Sequence, residues 1–370
     1  MKLEGMVIIK FFVRSLFVTI IGLTLLVSSL SAYQPNTMYR EQVAVIMYHH
    51  VDDTIQSSGT ITVDLFQRQL TYLQQQGYQF ITLDQFKQYL AGGPVPDNAV
   101  LVTFDDGYES FYSNAYPVLS QLNIPAVNFA ITKDTLNPQA SYIPAMSQQQ
   151  IAEMITAAPG RIEVQCHTHA LHDKVDGQAL LTARLDLDSG KRESEEDYRQ
   201  RIMADTRTCR SVLEQVNPSP IDSLAYPFGI YDRDAAEALQ SAGIEYAFTI
   251  APGMATRQTD RLAIPRINAG GPYISPAKLH KSIQNQIQAV HHNYDRIPLR
   301  EMVENWGGEV AEDSEGLIVI RYEGREWKLR PGSRTVLHQN NSLTIGQPVQ
   351  VIEGKAYARW SDIEKLLFES

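Results

Sequence analysis

An α/β domain built on a largely parallel sheet, followed by a smaller β-rich domain, is the architecture this chain predicts. Three observations carry that reading. From residue 43 to about 291, short apolar runs alternate with stretches of helical periodicity. The polar residues able to do chemistry fall just after those runs, where an α/β barrel carries its active site. From about Ile297 the texture changes to short β-like runs separated by turns such as Glu323-Gly324 and Glu353-Gly354.

Taken in order, the chain begins with an address. Lys2, Lys10 and Arg14 precede an apolar run over 15–30, and the small residues Ser31 and Ala32 follow, the order of an export signal. Left uncut, the run is long enough to remain as a membrane anchor. Residues 1–32 thus place the working part outside the cytoplasm, secreted or held at the cell surface, with the wall or membrane as a partner. Residues 33–42 form a polar linker. Val43–Tyr48 reads as the first strand and runs into His49-His50. Leu65, Phe66, Gln69, Leu70 and Leu73 recur at helical spacing until Gly77. A short strand over 78–81 follows, then a helix capped by Thr82 or Asp84 and ended by Gly92-Gly93-Pro94. The next strand ends at Asp105. Beyond it the pattern predicts a helix at 116–122, a strand at 126–130, a helix at 151–157 and a strand at 161–166. A charged helix over 194–216 turns Ile202, Cys209, Val212 and Leu213 inward. Strand 223–226, helix 235–242, strand 246–249 and a last helix over 275–291 complete a domain at 43–296. The second domain, 297–370, holds apolar runs at 317–322, 326–329 and 349–352 and a terminal helix over 360–368.

Composition narrows the partners. A formal net charge of −10 argues against nucleic acid. Cys166 and Cys209 are too few for a disulfide scaffold and form no Cys-x-x-Cys motif, so they read as free or buried thiols. Pairing would need their Cα atoms within about 7 Å, which spacing does not establish.

Four sets of residues carry chemistry. Asp105 and Asp106 end the strand, and because strand side chains alternate between faces, one can hold a cation while the other stands beside it as a free base. A strand running into an Asp-Gly turn accounts for the pair equally well in isolation. His167, His169 and His172 lie within six residues at a strand-to-loop junction. Two imidazoles plus a carboxylate suit a divalent zinc-like ion with open positions. Spacing leaves open whether His167 pairs with His172 or His169 takes part. His49 is an imidazole able to donate a proton to a leaving group, or a hydrogen-bonded strand end. Tyr226, Pro227, Phe228 and Gly229 form either a simple turn or one whose N–H aims at a developing oxyanion.

Thr103-Phe104-Asp105-Asp106-Gly107, the His167-Thr168 cluster and Tyr226-Pro227-Phe228-Gly229, in this order, resemble the NodB-homology polysaccharide deacetylases, carbohydrate esterase family four. The likeness covers about residues 43–271. It implies a distorted (β/α) barrel and metal-dependent removal of N-acetyl groups from polymers of N-acetylglucosamine. Carried over by motif, it implies Asp105 as general base, Asp106, His167 and His172 as ligands of a divalent metal, Zn2+, and Arg266 of Ile264-Pro265-Arg266-Ile267 as the partner that tunes Asp105. Tyr226, Pro227 and Phe228 fall to substrate and oxyanion. Two departures from the common pattern, four residues between His167 and His172 and no late Leu-x-His, resemble the branch acting on poly-β-1,6-N-acetylglucosamine, whose acid corresponds to His49. His50 stands where that branch often has aspartate. The C-terminal part weakly resembles the small domain at the N-termini of copper amine oxidases and reads as a wall- or glycan-binding accessory.

The leading expectation is an exported N-deacetylase of an exopolysaccharide. Peptidoglycan or a chitin-type oligosaccharide is the alternative substrate, and a non-catalytic glycan-binding surface protein the alternative class.

Overall fold

The computed structural model describes residues 37–54, 57–186, 191–290, 297–305, 308–322, 324–339, 341–352 and 354–368. The export or anchor segment read at 1–32 lies outside these residues, as does the start of the linker. No helix among the described residues is long and apolar enough to cross a membrane.

The apolar runs become the strands of one sheet. β1 is Val43–Tyr48, followed by helix α1, Val63–Gln75, the short β2, Gln79–Phe80, and α2, Leu83–Leu90. Thr82 caps α2 in a reciprocal capping box with Gln85, so the cap falls on Thr82 and not on Asp84. Strand β3, Ala99–Phe104, leads through α3, Tyr116–Leu122, to β4, Ala126–Ala130, then through α4, Gln148–Ala157, to β5, Ile162–Cys166. Helix α5, Glu195–Glu214, begins at the Ser194 cap and precedes β6, Ser223–Ala225. Then come α6, Arg233–Ser241, β7, Tyr246–Phe248, β8, Met254–Ala255, β9, Ile267–Asn268, and α7, Pro276–Val290.

The sheet order is β7-β6-β5-β4-β3-β1-β8, with β2 beside β3 and β9 beside β1. Only β8 pairs antiparallel. The sheet curls until residues 264–268 link its edges. Ile264 bridges to Phe248 of β7, while Ile267 pairs with Ile46 of β1. The result is a distorted (β/α) barrel.

Strand alternation sorts side chains into two cores. Val43, Val45, Leu101, Val127, Phe129, Ala225 and Phe248 share one cluster with Phe86 and Tyr89 of α2, which plugs the interior. Ala44, Ile46, Val100, Val102, Val164, Cys166 and Leu224 share the other with the surrounding helices. Each fully buried aliphatic side chain stabilises the fold by about 1.5–3 kcal/mol. The same parity carries beyond the strand ends: His49, Asp105 and His167 continue the inward positions, at the carboxyl end of the barrel.

One expectation is overturned here. Cys166 and Cys209 are not free thiols but form a disulfide, with Cα atoms 6.1 Å apart. Cys166 occupies an outward position of β5, and Cys209 lies on the buried stripe of α5, which packs there. The alternation that aims His167 inward aims Cys166 at the helix.

The C-terminal part has its own core, in which Trp327, Ile320, Leu329, Val336, Ile363 and Leu367 pack together. A helix, Leu299–Asn305, precedes an antiparallel meander of five strands over 309–344, and the terminal helix Trp360–Phe368 closes it. It is a small, mostly β domain.

Candidate functional site

Three loops meet above the barrel, and each contains a non-glycine residue in the left-handed region. Asp106 has φ 72°, Thr168 φ 68° and Phe228 φ 59°. Such conformations cost of order 1–3 kcal/mol each and persist where the surroundings impose them. Asp106 would continue β3 outward; the positive φ swings its carboxylate back over the barrel mouth. Gly107 follows at φ 74°, where an added Cβ would lie 2.9 Å from the Ala130 Cβ. Gly229, at φ 70°, is equally constrained: a Cβ there would lie 2.3 Å from Ile250 Cγ1.

Asp105, 2% exposed, points down the axis. The fully buried Arg266 grips it with both terminal nitrogens, Nη1 to Oδ1 and Nη2 to Oδ2, each at 2.7 Å. Arg266 Nε donates to Thr249 O at 2.7 Å, and Nη1 also reaches Thr103 Oγ1 at 3.3 Å. Burial pushes the Asp105 carboxyl up, but the charge and hydrogen bonds of Arg266, with His167 and His49 nearby, outweigh it and hold the group below the usual carboxylate range. His49 Nε2 lies 4.0 Å from Asp105 Oδ2, with 30% of its side chain exposed, and its Nδ1 has no partner among the described residues.

Asp106, His167 and His172 form one cluster, the only such grouping of candidate metal-ligating side chains among the described residues. Asp106 Oδ1 is 3.4 Å from His167 Nε2 and 3.3 Å from His172 Nε2, and all three donor atoms lie within 4.8 Å of one another. Tetrahedral ligands about 2.0–2.1 Å from a zinc-like ion stand roughly 3.3–3.4 Å apart, so the donor set fits such an ion. His167 Nδ1–H donates to Ala225 O at 2.8 Å, which leaves Nε2 with its lone pair toward the cluster. Despite burial, the hydrogen bond and charge of Asp106 hold His167 above its ordinary pKa. Burial and the neighbouring His167 push His172 down to about 4.

The remaining expected residues are sorted by their contacts. His169 is outside the cluster: its Nδ1 faces Thr132 Oγ1 at 2.9 Å. His50 is buried, edge-on to Tyr108 at 5.4 Å, with Nδ1 3.4 Å from Thr60 Oγ1. The Phe228 ring stands 4.5 Å from that of His172 and is 36% exposed, at the rim. Pro227 is buried beneath it. The Tyr226 side chain turns away, donating to Leu262 O at 2.8 Å and stacking on Tyr231, so its contribution is to hold the turn.

Sequence reasoning missed Asp205. Its carboxylate, half-buried on α5, accepts the N–H groups of His169 and Ala170 at 2.8 Å each. Burial raises its pKa, offset in part by those two donors. An acid sharing the apolar stripe of Ile202, Thr206 and Cys209 was the available signal.

A family model described as polysaccharide deacetylase matches residues 92–247. A poly-beta-1,6-N-acetyl-D-glucosamine N-deacetylase of Staphylococcus epidermidis is 30% identical over 208 residues, which cover 56% of this chain and 67% of the relative. Its counterpart in Staphylococcus aureus strain N315 is 27% identical over 210 residues, with the same coverage. Among solved structures, the BpsB deacetylase domain from Bordetella bronchiseptica superposes with a TM-score of 0.54 at 26% identity, covering 62% of this chain and 96% of that one. IcaB from Ammonifex degensii gives 0.53 at 27% identity, covering 66% and 97%.

Proposed function

The chain belongs to the NodB-homology polysaccharide deacetylases, and from that membership we propose that it is an exported, metal-dependent enzyme that removes N-acetyl groups from a poly-β-1,6-N-acetylglucosamine-type exopolysaccharide. The observation that carries the reading is the pairing of a free carboxylate with a ligand set: Asp105 gripped by Arg266, directly beside Asp106, His167 and His172, with His49 4.0 Å away. The two relatives named from staphylococci act on that polymer by name.

An amide is a weak electrophile with a poor leaving group, so the site must help at both ends of the scissile bond. Asp106, His167 and His172 would hold the ion, which would supply Lewis-acid polarisation of the acetyl carbonyl and a more acidic water. Asp105, kept ionised by Arg266, accepts the proton of the attacking water at Oδ2, the oxygen that faces His49. The Phe228 N–H stabilises the oxyanion that develops on the substrate. The C–N bond breaks as His49 Nε2 gives its proton to the departing nitrogen. The products are acetate and a free amino sugar, and a net proton passes from Asp105 back to His49 through solvent.

A cleft of about 1540 Å³, apart from the Asp105 and Asp106 carboxylates, is lined by Lys174, whose ammonium stands 5.1 Å over the Phe228 ring, and by Arg334 and Lys365 of the C-terminal domain. Small-molecule sites are roughly 300–1,000 Å³. A cleft of that size next to the Phe228 rim is consistent with a polymer running past the site, with 43–296 as the catalytic domain and 297–370 as an accessory that holds glycan. The Cys166–Cys209 disulfide supports an oxidising, extracytoplasmic compartment, to which the segment 1–32 directs the chain.

The test is acetate release from poly-β-1,6-N-acetylglucosamine oligomers and from peptidoglycan, assayed side by side with and without chelator. Turnover of the first, loss with chelator and loss in Asp105→Asn are expected. Full activity of Asp105→Asn refutes the mechanism, and exclusive turnover of peptidoglycan refutes the substrate.

A further inference from the structure

The barrel holds His167 but not His172. His167 N–H donates to Ala130 O at 2.9 Å in continuation of the sheet, and its ring is tied to Ala225 O. Five residues on, His172 stands on a loop with 20% of its side chain exposed, touching Asp106 and the rings of His167 and Phe228. That loop turns sharply at Thr168. The next two N–H groups, of His169 and Ala170, then converge on one carboxylate, Asp205, through Oδ2 and Oδ1 respectively. Successive N–H groups converging on an anion are how a backbone turn holds one. One helical turn along the same stripe of α5, Cys209 is bonded to Cys166, the residue before His167.

Resting on the reading of Asp106, His167 and His172 as the ligand set, we propose that Asp205 is a positioning residue for that centre: with the Cys166–Cys209 disulfide, it makes α5 a clamp on both sides of Thr168 that sets His172 against His167. Asp205 touches neither ligand ring; it acts through the 169–170 peptide. Other contacts of the loop, Leu171 N–H to Thr168 Oγ1 at 3.2 Å, Thr132 N–H to Thr168 O at 3.2 Å, Lys133 N–H to His169 O at 3.1 Å and His169 Nδ1 against Thr132 Oγ1 at 2.9 Å, hold the turn to itself and to the neighbouring loop. Without the carboxylate, the two freed N–H groups seek water and the loop carries His172 away from Asp106. Partners that orient metal ligands typically change metal affinity 10–100-fold when removed.

The test uses the full chain with Co2+ as probe, because its visible spectrum reports ligand number and geometry. Asp205→Ala is expected to weaken Co2+ binding about 10–100-fold and to shift the spectrum, measured well below the melting temperature of each variant. Asp205→Glu, which keeps a carboxylate, is expected to recover most of the affinity. The Cys166→Ser, Cys209→Ser double variant is expected to weaken binding in the same direction. Wild-type affinity and spectrum in Asp205→Ala, however far its melting temperature falls, overturn the proposal and leave a purely structural carboxylate. Absence of Co2+ binding by the unmodified chain overturns the ligand set itself, and the proposal with it.

Discussion

Replacing Arg266 by Met separates the two effects that govern Asp105, the proposed general base. The guanidinium and carboxylate are 0% and 3% exposed as side chains, so solvent does not screen the pair. Removing one partner of such a buried pair costs about 3–5 kcal/mol, because the other charge is left unpaired in a low-dielectric interior. At roughly 2–4 °C per kcal/mol for a large domain, the melting temperature falls by about 6–20 °C. The pH dependence is more telling. In the native chain burial raises the Asp105 pKa and Arg266 more than reverses it, so the folded value lies below the unfolded one. Its stabilisation is therefore present above the unfolded carboxylate pKa, about 3.9, and is lost as pH falls through the folded value. In Arg266→Met burial is opposed only by the smaller influence of His167 and His49, and the folded pKa is expected to move above the unfolded one. Asp105 then stabilises at low pH and destabilises as pH rises through its new value. The gap in melting temperature between variant and native chain should therefore narrow as pH is lowered. The acid limb of kcat/KM for acetate release should move to higher pH, because the base is now protonated where it was ionised. Calorimetry and a pH–rate profile on the same preparations check both. A melting gap independent of pH, together with an unmoved acid limb, would show that Arg266 does not control Asp105.

The other predictions address the remaining groups. His49→Ala should lower kcat by about 10²–10⁴-fold while leaving Co2+ affinity unchanged, since it removes a proton donor and no ligand; a parallel loss of metal binding would contradict the assignment. Ion affinity in the full chain should weaken as pH falls through the raised range of His167, with His172 joining only near its value of about 4, because a proton and a metal compete for the same nitrogen. An affinity constant down to that value, followed by titration, would refute it. Reduction of Cys166–Cys209 opens a loop spanning a sequence separation of 43 residues and should remove about 4 kcal/mol of stability, read as a lowered denaturant midpoint. Arg334→Glu, at the far end of the cleft, should raise KM for the polymer while sparing turnover of a small acetyl ester; equal effects on both would place the polymer elsewhere.

The order of strands and helices, the α/β class with a largely parallel sheet and the residues gathered at the mouth are legible in local pattern, and the barrel in the resemblance carried by the motifs. A run such as Val43–Tyr48 or Ala99–Val102 is apolar on both faces because a barrel strand is buried on both, and the strands at 43–48 and 126–130 have the expected bounds. Period-two alternation also assigns Asp105 and His167 to one face without knowledge of their neighbours. The rest depends on residues far apart in the chain meeting in space. His172 and not His169 joins the cluster because Thr132 and Asp205, on other elements, take the groups around His169. The cysteines pair because α5 packs on the outward face of β5, which no spacing of 43 residues reveals. Tyr226 turns toward the Leu262 carbonyl, and the role of its motif contracts to the Phe228 turn. The side chains of Asp105 and Asp106 take different partners for a related reason. Alternation alone would send Asp106 to the outer face; its left-handed backbone, followed by Gly107 where a Cβ would crowd Ala130, returns it to the centre.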